Sequence, residues 1–274
     1  MDFGQTFKFV RTLHAVKQVD VAKNILARSS ISQIEVGNQI PSYTNAINLL
    51  NNLGISVQEF EYIRNGYKLT PLEDLIYKFE TLSDSSQTED IKNLLAQAKK
   101  LNKTINSQNI TNIIQVLTAL LHVDDYSEKQ LRSVVEPVWQ DLSRFDSWTV
   151  LDIYLVNNIL FFFDKEAATH IIDFSLEMID SKFPHLLLLK NAFLLNSSYL
   201  SIIKNEKSDA VHRLNESVII SKKMHRYDLY LFSLIRLSII SDDLSKAQYY
   251  KDLLTKIGAS NLSLAVEKEF PQLK

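Results

Sequence analysis

The 274 residues are 46% hydrophobic, ample for buried cores in one to three domains, and carry a formal net charge of −2. Five Gly and five Pro disfavour an all-β or Gly-loop nucleotide-binding fold, and the absence of Cys excludes disulfides and thiolate metal sites. Residues 153–163 form the most apolar segment, but Asn157-Asn158 interrupt it and Asp152 and Asp164 bound it, so a buried helix is expected there and no membrane span.

From the N-terminus, Phe3, Phe7, Val10 and Leu13 recur at helical spacing and predict a first amphipathic helix. Val19-Asp20-Val21-Ala22 reads as a short second helix. Ala22 is small enough for another helix to cross it closely, and residues 24–26 can form the intervening turn. The stretch Arg28-Ser29-Ser30-Ile31-Ser32-Gln33-Ile34-Glu35-Val36-Gly37 follows. Ile31 and Ile34 share one helix face, and Arg28, Ser29, Ser30 and Gln33 fall largely on the other. Gly37 supplies the left-handed conformation that ends such a helix. A polar strip with an apolar back suits a recognition helix in a DNA major groove, where base edges present donors and acceptors. Ile47, Leu50 and Leu53, then Gly54-Ile55-Ser56, Val57 and Phe60, complete a helix-turn-helix domain of four or five short helices.

Within that domain Ser29, Ser30 and Gln33 are expected at base edges, because a glutamine amide can pair with adenine through two hydrogen bonds. Lys8, Lys17, Lys23 and Arg28 are expected at phosphates, with Gln18 adding a neutral donor. Residues 1–50 hold Lys8, Arg11, Lys17, Lys23 and Arg28 against Asp2, Asp20 and Glu35, a small basic excess consistent with that role. Arg11 and Glu35 sit on helices that must pack together and are expected to form a structural ion pair.

Phe3-Gly4-Gln5, Phe9-Val10-Arg11, Val19-Asp20-Val21-Ala22, Ile31-Ser32-Gln33-Ile34-Glu35-Val36-Gly37, Ile40-Pro41 and Leu53-Gly54-Ile55-Ser56-Val57-Gln58-Glu59-Phe60 resemble the N-terminal domain of Rgg/GadR/MutR regulators. The likeness is densest over the first sixty-five residues, and length and an all-helical remainder extend it more loosely. Two positions depart from it: Gln33 stands where the family usually has arginine, and Ala27 occupies an N-cap where serine or threonine is commoner. The resemblance implies a cytoplasmic transcriptional regulator that binds a two-fold operator in double-stranded DNA. It also implies a homodimer that senses a short peptide pheromone in a helical-repeat domain, with no cofactor and no membrane partner.

Asn65-Gly66 marks a boundary, giving residues 1–66 as the DNA-binding domain and 67–274 as a TPR-like domain for peptide binding and dimerisation. Thr70-Pro71-Leu72-Glu73 restarts the chain with a capping box and Pro at the first helical position. Helices are expected over about 71–82, 88–102, 107–122, 127–144, 147–163, 165–181, 185–205, 208–224, 226–241 and 244–257, with a turn near 260–268. Ser127 with Gln130 gives another capping box, and Pro137 is expected to kink its helix. The architecture expected is all-α, with hairpins stacked into a helical-repeat domain, although no 34-residue TPR signature recurs.

No catalytic pattern occurs: the six His are scattered and no phosphate loop or nucleophile elbow is present. Three polar residues interrupt apolar helix faces. Asn158 falls among Leu151, Tyr154, Leu155 and Phe162, Asn191 among Leu187, Leu188, Leu194 and Leu195, and Arg236 among Leu229, Phe232, Ile239 and Ile240. The site expected from them has Asn158 and Asn191 on a peptide's main chain and Arg236 on its carboxylate, with Tyr154, Phe162 and Phe232 as apolar walls. The structural alternative for each is a bond to a neighbouring backbone carbonyl or to a buried water. The rival function is a helical-repeat adaptor that binds a partner protein and whose DNA binding is weak or lost.

Overall fold

The computed structural model describes residues 1–82 and 88–273, and all regular secondary structure among them is helical. The chain divides into two compact units, Met1–Tyr77 and Lys78–Lys274.

The first unit holds α1 (Phe3–Leu13), α2 (Gln18–Ala22), α3 (Arg28–Glu35), α4 (Tyr43–Asn52) and α5 (Val57–Arg64); α6 (Pro71–Glu80) crosses the division. Its core is Phe7, Val10, Val21, Ile31, Ile34, Leu49 and Phe60, with Phe3 packed against it. Leu13, expected on the apolar stripe, is instead 63% exposed, because the helix ends there and its last side chain has no facing neighbour. Asp2 and Gln5 close a capping box on α1, and Ser42 and Ser56 cap α4 and α5. Ala27, at the N-cap of α3, makes no side-chain cap bond, so no N-cap side chain answers the first backbone donors of that helix. Gly4 sits where α1 meets α3: a Cβ there would lie 1.9 Å from the Ile34 carbonyl oxygen. Only a residue without a side chain allows that approach.

The second unit contains α7 (Thr88–Ile105), α8 (Gln108–Leu121), α9 (Glu128–Leu142) and α10 (Val150–Ile159), then a 3₁₀ turn at Leu160–Phe162. It continues through α11 (Lys165–Lys182), α12 (Leu187–Ile203), α13 (Lys207–Lys223), α14 (Tyr227–Ile240), α15 (Leu244–Lys256) and α16 (Ser260–Glu269). Successive helices pack on one another from α7 to α9 and again from α11 to α16, the hallmark of a helical-repeat domain. The architecture is all-α, a helix-turn-helix unit followed by a TPR-like one. Close helix approach in the later repeats is made possible by small buried side chains. Ser197, Ser198 and Ser201 of α12, Ser217 and Ser221 of α13 and Ser233 of α14 are all buried, and the Ser217 and Ser233 hydroxyls lie 2.9 Å apart.

The capping boxes at Thr70/Glu73 and Ser127/Gln130 form as the sequence predicts. Pro137 lies inside α9 without interrupting it. Asp243 caps α15, whereas Asp125 does not cap α9, since Ser127 occupies that position. The long helix expected over residues 147–163 is shorter. Thr149 and Asp152 start α10 with their own capping box, and Trp148 lies before it with its indole donating to the Leu142 carbonyl at 2.9 Å.

Candidate functional site

The candidate nucleic-acid interface is built on α3. Ile31, Ile34 and Glu35 are buried, which turns Ser29 and Gln33 to the opposite, exposed side one helical turn apart. Ser30 lies half-buried at the flank, and Arg28 is exposed in the first turn. Asn38, just beyond the helix, donates its amide to Gln33 Oε1 at 3.0 Å. That bond orients the Gln33 side chain and leaves its NH₂ group free to donate. Lys17 and Lys23 flank α2 and are exposed, as is Lys8 on α1. Asn52 of α4 ties down the turn after α2, donating to the carbonyls of Val21 and Lys23 at 3.0 and 3.3 Å. Asn38 and Asn52 escaped sequence reading because a lone asparagine in a polar stretch carries no periodic signal.

Behind α3 lies a buried charge. Arg11 forks onto Glu35, with Nε 2.5 Å from Oε1 and Nη2 3.0 Å from Oε2, and its Nη1 reaches the Val16 carbonyl at 2.6 Å. Gln18, expected at a phosphate, donates to Glu35 Oε2 at 2.8 Å instead, because the buried carboxylate needs every donor within reach. Burial pushes the Glu35 carboxyl up, but the hydrogen bonds from Arg11 and Gln18 and the nearby positive charges outweigh it and hold the group below the ordinary carboxylate range. This cluster joins α1, the start of α2 and the end of α3, so it sets the pose of the exposed strip.

A helix-turn-helix family model matches residues 8–60. The N-terminal unit is a helix-turn-helix domain. The match spans α1 from Lys8 to most of α5, with α2 and α3 as its two crossed helices. No curated protein matches the chain. Solved structures do, along nearly their whole length. A candidate transcriptional regulator from Listeria monocytogenes EGD-e superposes with a TM-score of 0.76 at 15% identity, over 98% of this chain and 96% of that one. The Streptococcus dysgalactiae SHP pheromone receptor Rgg2 gives 0.69 at 16% identity, over 99% and 100%. ComR from S. thermophilus, solved with DNA and its signalling peptide ComS, gives 0.65 at 14% identity, over 99% of both chains. The shared feature is the fold, a helix-turn-helix domain joined to a helical-repeat domain.

In the second unit a hollow of about 370 Å³ opens among α7, α8, α10, α12, α14 and α16. Asn158 and Arg236 line it, together with Asn157, Phe161, Asn196 and Tyr199. Asn196 donates to Asn157 Oδ1 at 3.1 Å, a bridge between α12 and α10. Asn158 donates to the Tyr154 carbonyl of its own helix at 2.9 Å.

Arg236 is not a free cation. It forks onto Glu269 of α16 at 2.6 and 3.0 Å, donates to the Leu195 carbonyl and to Ser198, and lies over the Phe232 ring at 4.4 Å. The expectation that it takes a peptide carboxylate is corrected, since Glu269 already occupies that place. Asn191 is fully buried between α12 and α13, donating to Ser221 at 3.0 Å with its Oδ1 unpartnered among the described residues, and it does not reach the hollow. Phe162 falls in the 3₁₀ turn, where three residues per turn instead of 3.6 rotate it off the face extrapolated from α10, and it is buried. Phe232 is buried beneath Arg236. Tyr154 is half-buried, its phenol pushed up by burial and by the Glu80 carboxylate, and lies outside the hollow. Asn157, Asn196 and Tyr199 were missed because an asparagine beside another, or one between apolar neighbours, does not reveal which way the helix turns it.

Replacing Gln33 with alanine will cut affinity for the preferred DNA sequence by about 1–3 kcal/mol and relax preference at one base position. Circular dichroism will show the fold intact, because the side chain is exposed. Equal affinity and equal preference in a binding-site selection would remove Gln33 from the interface.

Proposed function

We propose that this chain is a sequence-specific, DNA-binding transcriptional regulator of the Rgg type, controlled by a short peptide bound in its helical-repeat domain. The observation that carries the reading is the exposed Ser29/Gln33 face of α3, held by the buried Arg11–Glu35 pair within a helix-turn-helix domain. The end-to-end likeness to a pheromone receptor and to a regulator solved with DNA and its signalling peptide supports the peptide half. In this reading residues 1–66 read DNA and 67–274 bind the peptide and dimerise. A two-fold operator needs two recognition helices about 34 Å apart, which a homodimer supplies.

The protein acts as a binding protein in the cytoplasm, where its DNA lies, rather than as an enzyme. No helix among the described residues is long and apolar enough to cross a membrane. The peptide seat is the hollow of Asn157, Asn158, Phe161, Asn196, Tyr199 and Arg236. Its amides can pair with an extended peptide's main chain, its aromatic rings can pack apolar side chains, and its one cation is neutralised by Glu269. The ligand segment seated there is therefore uncharged and mostly apolar. A peptide that binds one arrangement of the dimer better shifts the population toward it.

Mobility shift on the intergenic DNA beside its own coding sequence, with and without small peptides from culture supernatant, tests both halves. A shifted band altered by the peptide fraction is expected. Peptide capture without any DNA binding would favour the adaptor reading.

A further inference from the structure

The longest acid-free stretch of the chain lies outside the helix-turn-helix domain and begins on α7, directly after the exposed Glu89 and Asp90 of that helix's first turn. From residue 91 to residue 123 the sequence contains Lys92, Lys99, Lys100 and Lys103 and no Asp or Glu, in a chain of net charge −2. Burial of Ile91, Leu94, Leu95 and Ala98 fixes which side of α7 faces inward. At 100° per residue, Lys92, Lys99 and Lys103 then form one line along the flank, with Lys100 beside it. All four are exposed, and none has an ion-pair partner among the described residues. The line spans eleven residues, about 16 Å at 1.5 Å per residue.

A run of unpaired lysines on a rigid helix repels itself and is relieved by a polyanion. We infer that the α7 lysine stripe is a second DNA-contacting surface, which binds the phosphate backbone while the helix-turn-helix domain reads the bases. The inference rests on the DNA-binding reading above. DNA suits the stripe because double helix carries one negative charge per about 1.7 Å of axis, a continuous partner for a continuous line. Helix α7 has no aromatic residue to stack on a base, so its contribution is phosphate-only and independent of sequence.

The test uses the full chain and a labelled 60-base-pair duplex of arbitrary sequence, titrated by fluorescence anisotropy at several NaCl concentrations. Four proteins are compared: wild type, the stripe variant (Lys92→Gln, Lys99→Gln, Lys100→Gln, Lys103→Gln), the domain variant (Lys17→Gln, Lys23→Gln) and a charge control. The control carries Lys223→Gln, Lys246→Gln, Lys256→Gln and Lys268→Gln, four exposed lysines on other helices. Glutamine propagates a helix about as well as lysine, so the stripe variant retains its circular dichroism spectrum.

Each lost phosphate contact lowers the slope of log affinity against log salt by about 0.9. The stripe variant is expected to flatten it by about two to four units, while the control matches wild type. A stripe variant with the control's slope overturns the inference while leaving the DNA-binding reading standing, provided the domain variant still flattens the slope. Wild type that binds no DNA overturns that reading and this inference together. A stripe variant that keeps its DNA slope but loses binding to poly-glutamate also overturns it, and makes α7 a docking face for an acidic protein.

Discussion

Arg11→Ala will lower the stability of the helix-turn-helix unit by about 3–5 kcal/mol, because it leaves the Glu35 carboxylate buried without its cation. The Arg11 and Glu35 side chains are only 11% and 3% exposed, so water cannot replace the lost partner. A small helical unit has little more stability than that to lose. The two tryptophans, Trp139 and Trp148, both lie in the second unit, which separates the readouts. Far-UV circular dichroism of the variant should show an early unfolding phase in urea, while the tryptophan transition stays in place. Coincident, unmoved transitions by both probes would mean that the pair does not hold the domain.

The same pair fixes a pH dependence. The folded Glu35 carboxyl lies below its unfolded value, so its contribution is fully present above the unfolded value near 4.5 and is lost as pH falls through the folded one. In Arg11→Ala burial is opposed only by the Gln18 hydrogen bond and the Lys8 charge, so the carboxyl lies higher than in wild type and takes up a proton at higher pH. The stability gap between wild type and variant should be widest above about pH 5 and narrow on acidification. A gap constant from pH 7 to pH 3 would assign the loss to packing instead.

Arg236→Ala will destabilise the second unit by about 3–5 kcal/mol, and here the tryptophan transition is the one expected to move. The guanidinium joins three helices: it sits on α14, donates to the Leu195 carbonyl and Ser198 of α12, and forks onto Glu269 of α16. Alanine strands the Glu269 carboxylate, 16% exposed, and opens a cavity beneath Tyr199 and Phe232, the two rings that the guanidinium covers. Arg236→Lys keeps the charge but not the planar fork and should recover only part of the loss. Peptide affinity should fall with both, since the hollow's wall loosens. An unchanged unfolding midpoint with lost peptide affinity would restore Arg236 as a ligand-facing cation.

The amino-acid sequence by itself determined most of the helices, the capping boxes at Thr70 and Ser127, and the inward face of α3. These are local properties: the spacing of Ile31 and Ile34, the left-handed Gly37, Thr70 before Pro71 and Glu73, and Ser127 before Gln130 are set by neighbours within four residues. The Arg11–Glu35 pair was legible too, because the two charges lie on helices whose apolar faces must meet. What only the tertiary structure decided is which polar side chain on an apolar helix faces a hollow and which faces another helix. Asn158 and Asn191 interrupt their helices in the same way, yet one borders open space while the other is sealed against Ser221. The difference comes from which helices pack on either side, and periodicity along one helix is blind to that. Arg236 reads as a free cation until Glu269, 33 residues later, is placed opposite it. Gln18 reads as a phosphate donor until Glu35 takes its amide. A buried charge or amide selects the nearest compatible partner in space, and that distance exists only once the chain has folded.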